Sequence, residues 1–171
     1  GIADCLSIWN DYLMSGKKNL LITGYRGSGK TTLVNSLVNL IGKNFPEISS
    51  EVTKGVEVTM TNNVLDRTVT IGRFNPLAKD DEPKMKAEIS VFDTVASEWI
   101  KDLADSDKKW VVIDEVGFLE SESVTYQEAV WNLLNQKQVI MVVRKQNLEF
   151  LTLEALMVCI IRNGLIRPKP S

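Results

Sequence analysis

The sequence predicts a three-layer α/β domain whose sheet is mainly parallel and carries an inserted β-hairpin. Three observations predict it. Short apolar runs of the kind buried on both strand faces alternate with segments of helical periodicity. One run, Asn19 to Thr23, flows directly into a Gly-rich turn and then a helix, and a block of β-branched alternation interrupts the series. At 171 residues the chain matches the size of one domain, so residues 1–171 are read as a single unit.

Taken in order, Leu6, Trp9 and Leu13 recur at helical spacing between Asp4 and Met14, which predicts a short leading helix ended by Ser15-Gly16-Lys17-Lys18. After the first strand, Leu33, Leu37, Val38 and Ile41 mark one face of the next helix. From Glu51 to Phe74 the pattern alternates, with Val56, Val58 and Met60, then Val69, Ile71 and Phe74. Asn62, Asn63 and Asp66 supply the turn of a hairpin. Residues Lys79 to Lys86 are charged, contain Pro83, show no period and read as a surface loop.

Val91, Val95, Trp99, Ile100 and Leu103 predict a further helix, and Trp110 to Ile113 a strand buried on both faces. A helix over Val124 to Leu134 and a strand over Val139 to Val143 follow. Leu153 to Ile161 fits helix and strand equally.

Composition excludes several function classes. Hydrophobic residues at 44% and charged residues at 25% are those of a globular chain, not a disordered one. A formal charge of −2 leaves no basic field to hold nucleic acid or anionic lipid. With no His, and with Cys5 and Cys159 standing alone, zinc and haem lack their usual ligands and a reducing cytoplasm is the expected location. No apolar run approaches the roughly 18 residues that a membrane span requires.

The most informative segment is Gly24-Tyr25-Arg26-Gly27-Ser28-Gly29-Lys30-Thr31-Thr32, which satisfies G-x-x-x-x-G-K-[ST] between a strand and a helix. Glycines permit backbone angles that turn successive N–H groups inward, so this phosphate-binding loop forms an anion cup at a helix N-terminus. In it Lys30 meets the β- and γ-phosphates of ATP or GTP, Thr31 offers its hydroxyl to Mg²⁺, and Thr32 lies nearer the α-phosphate. Tyr25 and Arg26 occupy free positions of the motif. Arg26 reads first as a solvated loop cation, and alternatively as a contact to the γ-phosphate or a protein partner.

A second acidic site follows. Trp110 to Ile113 ends in Asp114-Glu115, the form of a Walker B segment, in which the Asp is expected beside the phosphate-loop strand as a Mg²⁺ ligand. Glu115, one residue on, is placed to accept a proton from the water that attacks the γ-phosphate, or alternatively to cap the next turn. Arg144 ends the following strand, and strand ends gather at the nucleotide edge of a parallel sheet. It is read as a catalytic cation or as a solvated strand-end cation beside Lys145. Asn135-Gln136-Lys137-Gln138 lacks the Asp of a guanine reader, so base preference stays open.

From Leu20 to Arg144 the chain resembles the nucleoside-triphosphatase family first recognised in thermophilic microbes. The resemblance rests on Gly24 to Thr32, then Ser50-Glu51-Val52, then Ile113-Asp114-Glu115-Val116-Gly117-Phe118-Leu119-Glu120, in that order. It implies a RecA-like P-loop domain that hydrolyses several nucleoside triphosphates slowly with Mg²⁺, using Lys30, Thr31, Asp114 and Glu115. Two rivals stay open: a P-loop kinase, although the candidate lid of residues 79–86 carries no Arg, and a nucleotide-dependent switch or assembly subunit that turns over on a protein partner.

Overall fold

The computed structural model describes residues 2–24, 29–42, 45–53, 55–116, 122–143, 156–162 and 165–170; for 2–4, 24, 116, 156–162 and 165–170 it describes the backbone alone. A nine-stranded sheet forms its middle layer. The strands are β1 (Asn19–Gly24), β2 (Glu47–Thr53), β3 (Glu57–Asn62), β4 (Arg67–Phe74), β5 (Met85–Ala87), β6 (Trp110–Val116), β7 (Gln138–Val143), β8 (Leu156–Arg162) and β9 (Leu165–Pro170). Their order in space is β5-β4-β3-β2-β6-β7-β1-β8-β9.

The core of this sheet, β2-β6-β7-β1-β8, is parallel throughout. Antiparallel strands flank it: β3, β4 and β5 extend one edge and β9 the other. The expected hairpin is β3–β4, turned at residues 63–66, and it joins the sheet through β2 instead of standing apart. Asn62 makes the turn by accepting the N–H groups of Val64 and Leu65 on its side-chain oxygen at 3.0 and 3.1 Å.

Helices cover both faces, and the strand alternation shows which residues serve which face. Leu21, Val111, Ile113, Val139, Met141 and Val143 pack with Phe92, Trp99, Ile100, Tyr126 and Leu133. The residues between them, Leu20, Ile22, Val112, Ile140 and Val142, pack with Ile8, Tyr12, Leu33, Val34 and Leu37. The second set belongs to α1 (Ile2–Ser15) and α2 (Lys30–Ile41). The first belongs to α4 (Ser97–Asp105), α5 (Val124–Gln136) and the π-turn Phe92–Ala96, which joins α4 to the single helical turn α3 (Ile89–Val91).

Several expectations change in detail. On α1 the buried stripe is Cys5, Ile8 and Tyr12, while Leu6 and Leu13 face solvent. Two apolar stripes overlap on that helix, and Trp9 of the expected one is half-buried with its ring 5.5 Å from that of Trp110. Tyr12 lies 5.8 Å from the Trp110 ring at the start of β6, and its hydroxyl donates to the Lys18 carbonyl at 2.6 Å. On the π-turn the core takes Phe92 and Ala96, leaving Val95 exposed. The charged stretch 79–86 is loop only as far as Lys84: Met85 and Lys86 pair with Phe74 and Arg73 in β5. The ambiguous C-terminal segment includes a strand, β8, beside β1.

Candidate active site

The carboxyl ends of the parallel strands gather at one edge, where a doubly covered sheet leaves its ligand crevice. β1 ends there at Gly24, and α2 begins nearby at Lys30. Gly29 occupies the N-cap position of α2 with φ 94 and ψ 21, in the left-handed region, and its carbonyl accepts the Leu33 N–H at 3.0 Å. A Cβ on Gly29 would meet nothing within 4 Å, so the backbone angle and not crowding calls for glycine. Tyr25, Arg26, Gly27 and Ser28 lie outside the described residues, as does Arg144.

Lys30 is 8% exposed although it carries a charge, and it opens α2 where unpaired backbone N–H groups and the helix dipole favour an anion. Thr31 and Thr32 follow on the exposed side of the first turn.

Asp114 reaches this turn from another strand. The expectation that its strand neighbours β1 does not hold: β7 lies between β6 and β1. The contact survives because Asp114 shares the pleat alternation of Val112, which faces α2, and the Thr31 side chain hydrogen-bonds the Asp114 carboxylate. Asp114 is 9% exposed. Burial pushes its carboxyl above the usual carboxylate range; the Thr31 bond pulls it back, Glu115 pushes it further up, and Lys30 draws it down.

Glu115 lies between Asp114, paired with Val142, and Val116, paired with Val143, so it is the extra residue of a bulge. A bulge re-aims one side chain at the end of a strand, a device common beside active sites. Glu115 is half-buried there, close enough for its charge to act on Asp114.

Sequence reasoning missed one acidic residue of this face, Glu47. It was excluded because the alternating block was read from Glu51, whereas β2 begins four residues earlier. Burial raises its carboxyl above the usual range, and the charge of Asp114 adds to the rise.

A hydroxyl and a carboxylate held together at a helix N-terminus are hard oxygen donors that fit Mg²⁺, a cation that takes few protein ligands and keeps phosphate oxygens as the others. The NTPase family model matches residues 19–160. No curated protein sequence matches the chain. The crystal structure of THEP1 from the hyperthermophile Aquifex aeolicus superposes with a TM-score of 0.65 at 18% identity, covering 84% of this chain and 89% of that one. The solution structure of a human cancer-related nucleoside triphosphatase gives 0.56 at 18% identity, covering 74% and 76%. At such identities the two structures speak for the fold.

Proposed function

The chain belongs to the NTPase family and is a nucleoside-triphosphate hydrolase with a P-loop fold, and from that premise we propose a Mg²⁺-dependent reaction that releases phosphate from ATP, GTP and related triphosphates. The observation that carries this reading is the hydrogen bond between Thr31 and Asp114, which brings the first turn of α2 to the end of β6 across an intervening strand. Mg²⁺, when bound, would neutralise the negative charge that develops on the triphosphate.

The chain's own residues divide the remaining work. Lys30 supplies a positive charge to the β- and γ-phosphates, and the backbone N–H groups at the start of α2, from Gly29 to Thr32, would cradle the phosphates. Thr31 and Asp114 would hold the cation. Glu115, set apart from the strand register by the bulge, accepts a proton from the attacking water or aligns it. Arg144 and Arg26 are proposed as cations for the γ-phosphate on sequence position alone. Among the described residues no helix is long and apolar enough to cross a membrane, and a cytoplasmic location is proposed from the isolated cysteines.

Phosphate release against a panel of nucleoside triphosphates, with Mg²⁺ or with EDTA, tests the reading. Turnover that needs Mg²⁺ and vanishes in Lys30→Ala is expected. Release that persists with EDTA, or with Lys30 removed, refutes it.

A further inference from the structure

Glu47 has no place in the phosphate-loop or Walker B motifs, yet the fold puts it on the same sheet face as Asp114. Its neighbour Ile48 packs with Val111 and Ile113 under α4 and α5, so by strand alternation Glu47 and Ser49 turn to the opposite face, the one α2 covers. β2 and β6 run parallel with Glu47 beside Val112 and Ser49 beside Asp114. Glu47 therefore lies one strand over and one pleat back from Asp114.

Its backbone is held firmly there. The Glu47 N–H donates to the Asn63 side-chain oxygen at 2.7 Å, its carbonyl accepts the Asn63 N–H at 3.1 Å, and the Asn63 amide donates to the Phe45 carbonyl at 3.1 Å. Next to it the Pro46 carbonyl accepts the Val112 N–H at 2.9 Å. The residue so anchored is half-buried, and among the described residues the charged group that acts on its carboxylate is another carboxylate, Asp114. Buried charges are ordinarily paired or held against a cation, because desolvation without compensation is costly. Among the described residues Lys30 acts on Asp114, whereas no cation is among the charges acting on Glu47, so a positive ligand at the Thr31–Asp114 turn would offset both acids.

We propose that Glu47 is a positioning and selectivity residue of the cation centre: its charge behind Asp114 makes the site accept the metal complex of a triphosphate and disfavour the bare one. The inference rests on the Mg²⁺-dependent reading above. Its physical basis is Coulombic. A bare triphosphate exceeds its metal complex in negative charge by the full charge of the cation, so one fixed carboxylate repels the bare form more.

The test is equilibrium titration of the full chain with a labelled, non-hydrolysable triphosphate, once with Mg²⁺ and once with EDTA. The quantity read is the ratio of the two dissociation constants. In Glu47→Gln this ratio is expected to shrink on the order of tenfold, the low end for losing an outer-shell partner, with binding in EDTA becoming tighter than in the parent. Glu47→Asp keeps the charge and is expected to retain most of the discrimination. A purely structural role would weaken binding in both buffers together.

An unchanged ratio in a Gln variant whose melting curve shows it folded overturns the inference, as does an equal loss in the Gln and Asp variants. If Lys30→Ala abolishes binding while Glu47→Gln keeps the parental ratio, only this inference fails. A parent that binds no triphosphate sinks the Mg²⁺-dependent reading and the inference together.

Discussion

Replacing Asp114 by Asn should separate the protein's stability from its response to ligand. In the free protein the carboxylate is a burden: it is buried, Glu115 stands next in the chain, and among the described residues the Thr31 bond and Lys30 offset part of the cost. Asn keeps the shape and can still accept a hydrogen bond from Thr31. Exchanging a charged acceptor for a neutral one costs about 1 kcal/mol, and removing the desolvated charge returns a comparable amount. The apo variant is therefore expected to melt at or slightly above the parent. With Mg²⁺ and a non-hydrolysable triphosphate at a hundredfold excess over Kd, the parent should gain about 2.7 kcal/mol, or roughly 5–11 °C in Tm for a chain of this size. The variant should lose most of that gain. Differential scanning calorimetry in EDTA and in Mg²⁺ with nucleotide reads both quantities. An apo variant several degrees less stable than the parent would refute the view that Asp114 is held at a cost for the ligand's sake, and an undiminished ligand shift would refute its metal role.

Three further outcomes follow from the same geometry. Glu115→Gln should bind the metal–triphosphate complex as the parent does while kcat drops roughly 10²–10⁴-fold, as for loss of a general base; single-turnover phosphate release would expose a smaller effect. Gly29→Ala should cost about 1–2 kcal/mol in urea denaturation, because the left-handed angle and not a clash is the obstacle, and a cost near zero would contradict the angle. Without metal, stability should fall as pH rises above the ordinary carboxylate range. Asp114 and Glu47 both have raised folded-state values, so the native protein keeps protons that the unfolded chain has released, and the slope is negative until both are ionised. Chemical denaturation in EDTA at a series of pH values checks this, and the slope should diminish in the Asp114→Asn variant.

The phosphate loop was legible in the sequence because its chemistry is local. Glycines at fixed offsets, then Lys30 and Thr31, between an apolar strand and a periodic helix, specify an anion cup whatever the remainder of the chain does. Asp114-Glu115 was legible for a related reason: an apolar run short enough for a buried strand ends in two acids, and in such folds strand ends meet ligands. Helix and strand positions from α2 to β7 likewise followed from periodicity, which is a property of neighbours along the chain.

What spacing could not supply was lateral order. Sequence places β1 and β6 in one sheet, but nothing local says that β7 inserts between them, because strand pairing joins residues more than a hundred positions apart, as Leu20 with Ile140 shows. The same holds for the stripe of α1, where both apolar faces satisfy helical spacing and packing into the core buries Cys5, Ile8 and Tyr12 while Leu6 and Leu13 stay exposed. It holds most of all for Glu47. In sequence it is one acid before an apolar residue; only the pairing of β2 with β6 carries its charge to the back of Asp114. Local chemistry therefore determined which groups could bind phosphate, and tertiary pairing decided which distant charges surround them, since Coulomb forces depend on distance through space and not along the chain.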